Sequence, residues 1–305
     1  MKKLLFIFNP RSGTGKIRSA LVDVVDVFTK AGYETTIYPT QAPEDGKRRI
    51  LENGETYDRI VVSGGDGMLH ELVNAVVQLP QAVAVGYLPS GTVNDFAATH
   101  SLPRDPVKAS EVAVSDHILS LDVGRFNDSW FSYVAAFGLF TQVSYQTNQK
   151  LKNKLGSLAY FLEALQSIDY RHFEQACRKM EITADGADFS GEFIFGAVTN
   201  STSIGGFRKL ICDGVQFDDG RLEGLFVKKP SGVRELEQMQ RGLVRSDFSA
   251  ACLLRFSARE FSVRSEEMAW TLDGENGGRH SDVRISAVQK TLHIALPEKS
   301  IKEHI

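Results

Sequence analysis

The chain has 305 residues, 42% of them hydrophobic and 24% charged, with a formal net charge of −3. That length allows two domains with proper cores, and the balance is ordinary for a soluble globular protein, without the basic excess that marks a nucleic-acid partner. No apolar run approaches the roughly 18 residues of a membrane span and the opening MKKLLFIFNP is too short for a secretory leader, so a cytosolic protein is expected. Cys177, Cys212 and Cys252 stand singly, which reads as core or surface thiols rather than a zinc site or a disulfide framework.

The first expected element is a strand at LLFIF, running into FNPRSGTGK, Phe8 to Lys16. The loop has the look of a phosphate cradle of the G-x-x-x-x-G-K-[ST] type, yet Pro10 stands where the first glycine belongs and Ile17 where the magnesium-holding hydroxyl belongs. A strand, a Gly-rich loop and the amphipathic segment KIRSALVDVVDVFTKAGY still make an anion site, because a helix N-terminus presents unpaired N–H groups. Further strands follow at TTIYPT, RIVVSGG and AVAVGYLPS, separated by helical patterns, the signature of a parallel sheet covered on both faces. Beyond a boundary at about 121 to 126 the character changes. WFSYVAAFG, KMEITAD, EFIFGAVTN, LEGLFVKK, FSVRS, MAWTLDG, DVRISA and TLHIALP read as short strands broken by turns, hence a largely antiparallel second domain. Helices are expected at KNKLGSLAYFLEALQSI and SGVRELEQMQRGLV.

Four stretches carry candidate chemistry. In GGDGMLHE, Gly64 to Glu71, two glycines free the backbone at the carboxyl end of a strand, where open α/β sheets bind ligands; a plain turn with Asp66 as a helix cap is the alternative. LPSGTVNDF repeats the logic, with Thr92 in a polar turn and Asn94 and Asp95 opening a helix, and capping chemistry explains that composition equally well. VQFDDGRLEG sets two carboxylates before a glycine, which also suits a hairpin turn. TLDGENGG puts Asp273 and Glu275 two apart in a strand-like setting, so both side chains are expected on one face, with a turn as the bland reading.

FNPRSG, SGGDGMLHE, LPSGTVNDF, LDVGRF, DDGRLEG and LDGE, in this order and across nearly the whole chain, resemble the bacterial soluble diacylglycerol kinases, relatives of the sphingosine and ceramide kinases. The resemblance implies a Rossmann-like nucleotide domain of the NAD kinase and phosphofructokinase type over residues 1–123, joined by the segment at about 293–305. It implies a mainly antiparallel β-sandwich over 124–292 for the lipid, with ATP in the cleft between. Carried over by position, Asn9, Pro10, Arg11, Ser12, Gly13, Thr40, Gly65, Asp66, Gly67, Met68, Leu69, His70, Glu71, Thr92, Asn94 and Asp95 would contact the nucleotide. Asp66, Asp95 and Asp122 would form an acidic network near phosphates and metal. Asp219 would hold magnesium with the backbone carbonyls of Gln216 and Arg221, an oxygen-rich set suited to a hard cation. Glu275 would accept the proton of the lipid hydroxyl, with Asp273 its close competitor.

The chain departs from the family pattern at Met68, where Thr is frequent, at His70, where Asn is common, at Ala98, where an Arg usually follows NDFA, and at Cys212, where Pro often stands. None of these removes a carboxylate. The activity implied is magnesium-dependent transfer of the γ-phosphoryl of ATP to diacylglycerol or a related lipid alcohol, largely a matter of positioning and charge neutralisation. WFSYVAAFGLF and AYFLEAL are candidate walls for an acyl chain, and also ordinary core. Lys150, Lys152 and Lys154 suit transient contact with anionic headgroups, or equally a solvated helix face. An NAD kinase, which shares GGDG, and a lipid-binding protein of the same fold without turnover are the rival readings; a homodimer is compatible with all three.

Overall fold

The computed structural model describes residues 1–13, 15–138, 170–204, 207–208, 215–245, 247 and 249–298. Lys150, Lys152 and Lys154, the helix expected over 152–168, Leu139 and Phe140 of the apolar strand, and Cys212 lie outside the described residues. The chain divides into two compact units, Met1–Val123 with Val288–Ile305, and Gly124–Ala287.

In the first unit, strands β1 (Lys2–Phe8), β2 (Tyr33–Pro39), β3 (Arg59–Gly64) and β4 (Ala84–Pro89) lie in the order β2-β1-β3-β4, parallel throughout. Such a sheet is buried on both faces, so β1 and β3 are near-continuous apolar runs. Helices α1 (Lys16–Lys30) and α5 (Pro106–Ala113) pack together, as do α2 (Asp45–Asn53) and α3 (Asp66–Val76), and α4 (Asp95–Thr99) is a single turn. Phe6, Val24, Phe28, Leu88 and Ala109 form the core beneath α1 and α5. Pro106 sits at the first helical position of α5 behind Asp105, whose side chain accepts the Lys108 N–H, so the helix starts with a proline and a cap where both are tolerated. Registry matters most for function. Phe8 lies beside Pro39 and Ser63, and Gly64 beside Pro89, so the loops after all four strands open along one edge.

The second unit takes the end of β5 (Ile118–Phe126) and then β6 (Ser129–Phe131), β7 (Val134–Gly138), helix α6 (Tyr170–Ala176), β8 (Arg178–Ala184), β9 (Ala187–Asp188) and β10 (Gly191–Thr199). It continues with β11 (Ser203–Ile204), β12 (Phe207–Arg208), β13 (Leu222–Lys228), α7 (Val233–Arg245), β14 (Leu253–Ala258), β15 (Glu260–Leu272) and most of β16 (Glu275–Ala295). Its main pairings are antiparallel and follow one path: β14 to β13 to β10, whose other edge is shared by β7 and β8, both of which pair with β15, which pairs with β16. Phe226 on β13 and Phe261 on β15 stack with ring centroids 6.3 Å apart, although three strand spacings would separate them by about 14 Å in a flat sheet. The sheet therefore curls over a core of Phe137, Phe193, Phe226, Trp270 and Val283. The expected layers are one hydrogen-bonded path folded on itself.

Two strand expectations are corrected. FSVRS and the MAWTL of MAWTLDG form the single strand β15, and DVRISA and the TLHIA of TLHIALP lie in the single strand β16. The polar residues between them are register shifts, as between Arg264 and Met268, or a local positive φ, as at Lys290 (φ 54), and no chain reversal occurs there.

Candidate functional site

In the first unit the loop after β1 starts with Asn9, whose N–H donates to the Ser63 carbonyl at 2.9 Å and whose side-chain oxygen accepts the Arg11 N–H at 2.8 Å. Thr40, after β2, returns its N–H to the Phe8 carbonyl at 2.9 Å. The Ser90 N–H donates to the Gly64 carbonyl at 2.8 Å. Each loop is thus hydrogen-bonded to its neighbour before it turns outward.

The glycines are needed for that knitting. A Cβ on Gly13 would lie 1.9 Å from the Ser90 carbonyl oxygen, and one on Gly91 would lie 2.6 Å from the Gly65 Cα. At these two points the loops approach backbone to backbone, which only glycine allows.

Asp66 begins α3 but does not cap it: the N-cap position is Gly65, with no side-chain capping bond. Asp66 Oδ2 instead accepts the Asn94 N–H at 2.9 Å, joining the ends of β3 and β4. The Asn94 side chain is clamped on Gly91, accepting its N–H at 3.0 Å and donating to its carbonyl at 2.7 Å, which holds Asn94 at φ 56. Beneath them the buried Tyr87 hydroxyl lies 3.2 Å from the Gly64 carbonyl and 3.3 Å from Asn94 Oδ1. Burial, then the charge of Asp66, drives the Tyr87 phenol well above its usual range, so it stays a neutral donor. Asp95 is buried beside Asn94, and Asp122, on β5, accepts the Lys290 N–H at 2.8 Å.

Three expected nucleotide contacts take a different form. Met68 and Leu69 are buried, Met68 packs over Gly46 and Gly64, and both residues donate their N–H groups to the Gly65 carbonyl. Glu71 accepts the N–H groups of Glu44, Gly46 and Lys47 at 2.9, 3.0 and 3.3 Å, holding the start of α2. Desolvation pushes its carboxyl upward against those donors.

In the second unit the expectation that Asp273 and Glu275 share a strand face is overturned. Asp273 (φ 51) and Gly274 (φ 81) are the two-residue turn between β15 and β16, with Leu272 paired to Glu275, the left-handed pair that tight hairpins require. Asp273 points inward, 1% exposed, and accepts the Ser132 N–H at 2.8 Å, the Ser132 hydroxyl at 3.1 Å, and the Tyr133 and Val134 N–H groups at 2.9 and 3.1 Å. Glu275 is exposed. The two carboxylates face different surroundings, Asp273 buried and Glu275 exposed.

The segment around Asp219 is a turn feeding β13. Asp219 Oδ1 accepts the Arg221 N–H at 2.9 Å and Gly220 has φ 76. The Arg221 guanidinium reaches Ser257 Oγ at 3.1 Å and Asp185 at 3.3 Å. Four residues beyond Asp219, Glu223 is buried, and desolvation together with the charge of Asp219 raises its carboxyl to about 7. Among the described residues no three His, Cys, Asp or Glu side chains gather as a ready metal cluster, so any cation here draws on backbone carbonyls or ligand oxygens as well. The sequence reading missed Tyr87 and Glu223. Each is one polar residue within an apolar strand run, which is the signal that would have found it.

The family model described as the diacylglycerol kinase catalytic domain matches residues 3–126. The chain is 33% identical to a diacylglycerol kinase of Staphylococcus carnosus, over 91% of this chain and 90% of that protein. It is 30% identical to a diacylglycerol kinase of Bacillus subtilis, over 99% of each. A crystal structure of a diacylglycerol kinase from Bacillus anthracis superposes with a TM-score of 0.82 at 23% identity, covering 98% of each chain, a likeness of fold.

Proposed function

Because the chain belongs to the diacylglycerol kinase family and is a lipid kinase, we propose that it moves the γ-phosphoryl group of ATP to the hydroxyl of diacylglycerol or a related lipid alcohol. The observation that carries the nucleotide half is the knot of loops after β1, β3 and β4, packed backbone to backbone at Gly13 and Gly91 and tied by Asp66 and Asn94. In the order β2-β1-β3-β4, consecutive connections leave β1 in opposite directions, and open sheets bind ligands outside such a switch point. Asn9 to Gly13, Thr40, Gly65 to Gly67 and Thr92 are the proposed nucleotide contacts of this Rossmann-like unit, with Asp66, Asp95 and Asp122 as its acids.

For the acceptor half, Glu275 is the proposed proton acceptor. Asp273 already takes four hydrogen bonds, which supports it as the anchor that orients the turn carrying Glu275. Magnesium fits the donor set at the Asp219 turn, one carboxylate with the carbonyls of Gln216 and Arg221, where it would supply the positive charge that hard oxygen ligands seek. Among the described residues no helix is long and apolar enough to cross a membrane, so a lipid substrate is proposed to be met at a membrane surface.

The test is phosphate transfer from labelled ATP to a panel of lipid alcohols in mixed micelles, with NAD as control. Label in diacylglycerol is expected. Label in NAD alone would overturn the reading.

A further inference from the structure

We propose that Glu223 is a second carboxylate of the divalent-cation site built on the Asp219–Arg221 turn, an inference that rests on the reading of Asp219 given above. Glu223 is 5% exposed. Among the described residues no hydrogen bond reaches its buried Oε2, and Oε1 accepts the Ser257 hydroxyl at a long 3.5 Å. Strand alternation sets the way it points. Leu222 and Phe226 fill the core of the curled sheet, so Glu223, between them on β13, faces the other way, with Thr199 of β10 and Ser257 of β14 paired on either side.

A buried carboxylate oxygen with no donor is costly, and native proteins pair such groups with a cation or a proton. The neighbouring cation, Arg221 just before β13, gives it no hydrogen bond. Arg221 turns its guanidinium to Ser257 and Asp185. Two independent features therefore converge on one turn. The backbone around Gly220 holds Asp219 against the Arg221 N–H, and Glu223, two residues beyond Arg221 and sharing Ser257 with its guanidinium, keeps a buried oxygen without a hydrogen bond. Two carboxylates supplemented by carbonyls is an oxygen set for a hard divalent ion. The absence of a three-acid cluster is compatible with it. A cation bound there would neutralise Glu223 and fix the entry to β13, so its effect is expected in the folded protein without any substrate.

The experiment is thermal unfolding of the whole chain in chelator and in millimolar magnesium, without nucleotide or lipid, for wild type, Asp219→Asn, Glu223→Gln and Glu223→Asp. Magnesium is expected to raise the wild-type midpoint by roughly 5 °C, the size expected for an ion held well above its dissociation constant. Asp219→Asn and Glu223→Gln are each expected to lose at least half of that rise, and Glu223→Asp to keep part of it. Manganese binding followed by electron paramagnetic resonance should weaken in the same order. A full magnesium shift in Glu223→Gln overturns the role of Glu223 alone. No shift in the wild type overturns the cation site at Asp219 itself, and leaves the assay of phosphate transfer to judge the kinase reading separately.

Discussion

Asp273 and Glu275 show why two neighbouring acids of one motif cannot be exchanged in an argument. The first is buried and accepts bonds from Ser132, Tyr133 and Val134, while the second is exposed across the hairpin turn. Replacement of Glu275 by Gln should leave unfolding unchanged and lower kcat by about two to four powers of ten, the usual worth of a positioned base. Replacement of Asp273 by Ala should do the reverse first: three backbone N–H groups lose a charged acceptor, a destabilisation of about 3 kcal/mol or more. Chemical denaturation and steady-state kinetics on both variants separate the roles. Equal loss of stability in the two would refute the division. Tyr87→Phe is the milder case. It keeps the ring against Phe96 and removes only the hydroxyl near Gly64 and Asn94, so a loss of about 1 kcal/mol is expected, measurable in the same denaturation experiment.

At the scale of elements, the packing of loop on loop sets what substitutions the site tolerates. Gly91→Ala would set its Cβ 2.6 Å from the Gly65 Cα and 2.7 Å from the clamped Asn94 Oδ1, so the backbone of one loop must shift. The KM for ATP should rise by about tenfold, equivalent to ~1.4 kcal/mol, with the lipid KM little changed; a lipid KM that rises equally would contradict the assignment of these loops to the nucleotide. Strands β1, β3 and β4 were legible as apolar runs ended by Gly or Pro punctuation, β2 by its Thr, Ile and Tyr before Pro39, and the helix over Lys16–Lys30 because its apolar spacing is regular. The long strands β15 and β16 were not. Charged residues such as Glu266 and Glu267 interrupt the alternation as a turn would, and only the pairing with β16 shows a bulge instead. The acids at Asp66, Asp95, Asp219 and Glu275 stood out by their glycine neighbours. Their functions did not, because a cap, a clamp and a base have the same composition, and Asp66 is told from a cap only by its bond to Asn94.

Across the whole molecule, titration couples these sites to stability. Asp45 and Asp185 lie below the ordinary carboxylate range. For Asp45 the leading cause is the Gln41 N–H; for Asp185, burial pushes the other way but the N–H groups of Glu260 and Arg259 and the charge of Arg221 outweigh it. A depressed folded-state acid adds stability above its unfolded pKa that is lost as pH falls through the folded value, so these groups act on the acid side. Glu223 has the opposite sign. Burial, then Asp219, lifts it from 4.5 in the unfolded chain to about 7, so the folded state holds a proton that the unfolded state has released. Stability must therefore fall as pH rises from about 4.5 to about 7 and level off above it. The span corresponds to about 3 kcal/mol at 1.36 kcal/mol per pH unit, and Glu71, raised chiefly by desolvation, adds in the same direction. Urea unfolding in chelator at pH 5 and pH 8 should show the wild type clearly weaker at pH 8. In Glu223→Gln most of that difference should vanish, since an amide has no proton to lose. An equal pH dependence in both proteins would mean that Glu223 is ionised in the folded state even without a cation. Magnesium at pH 8 should restore what the alkaline side removes, because a bound cation and a bound proton neutralise the same buried oxygen.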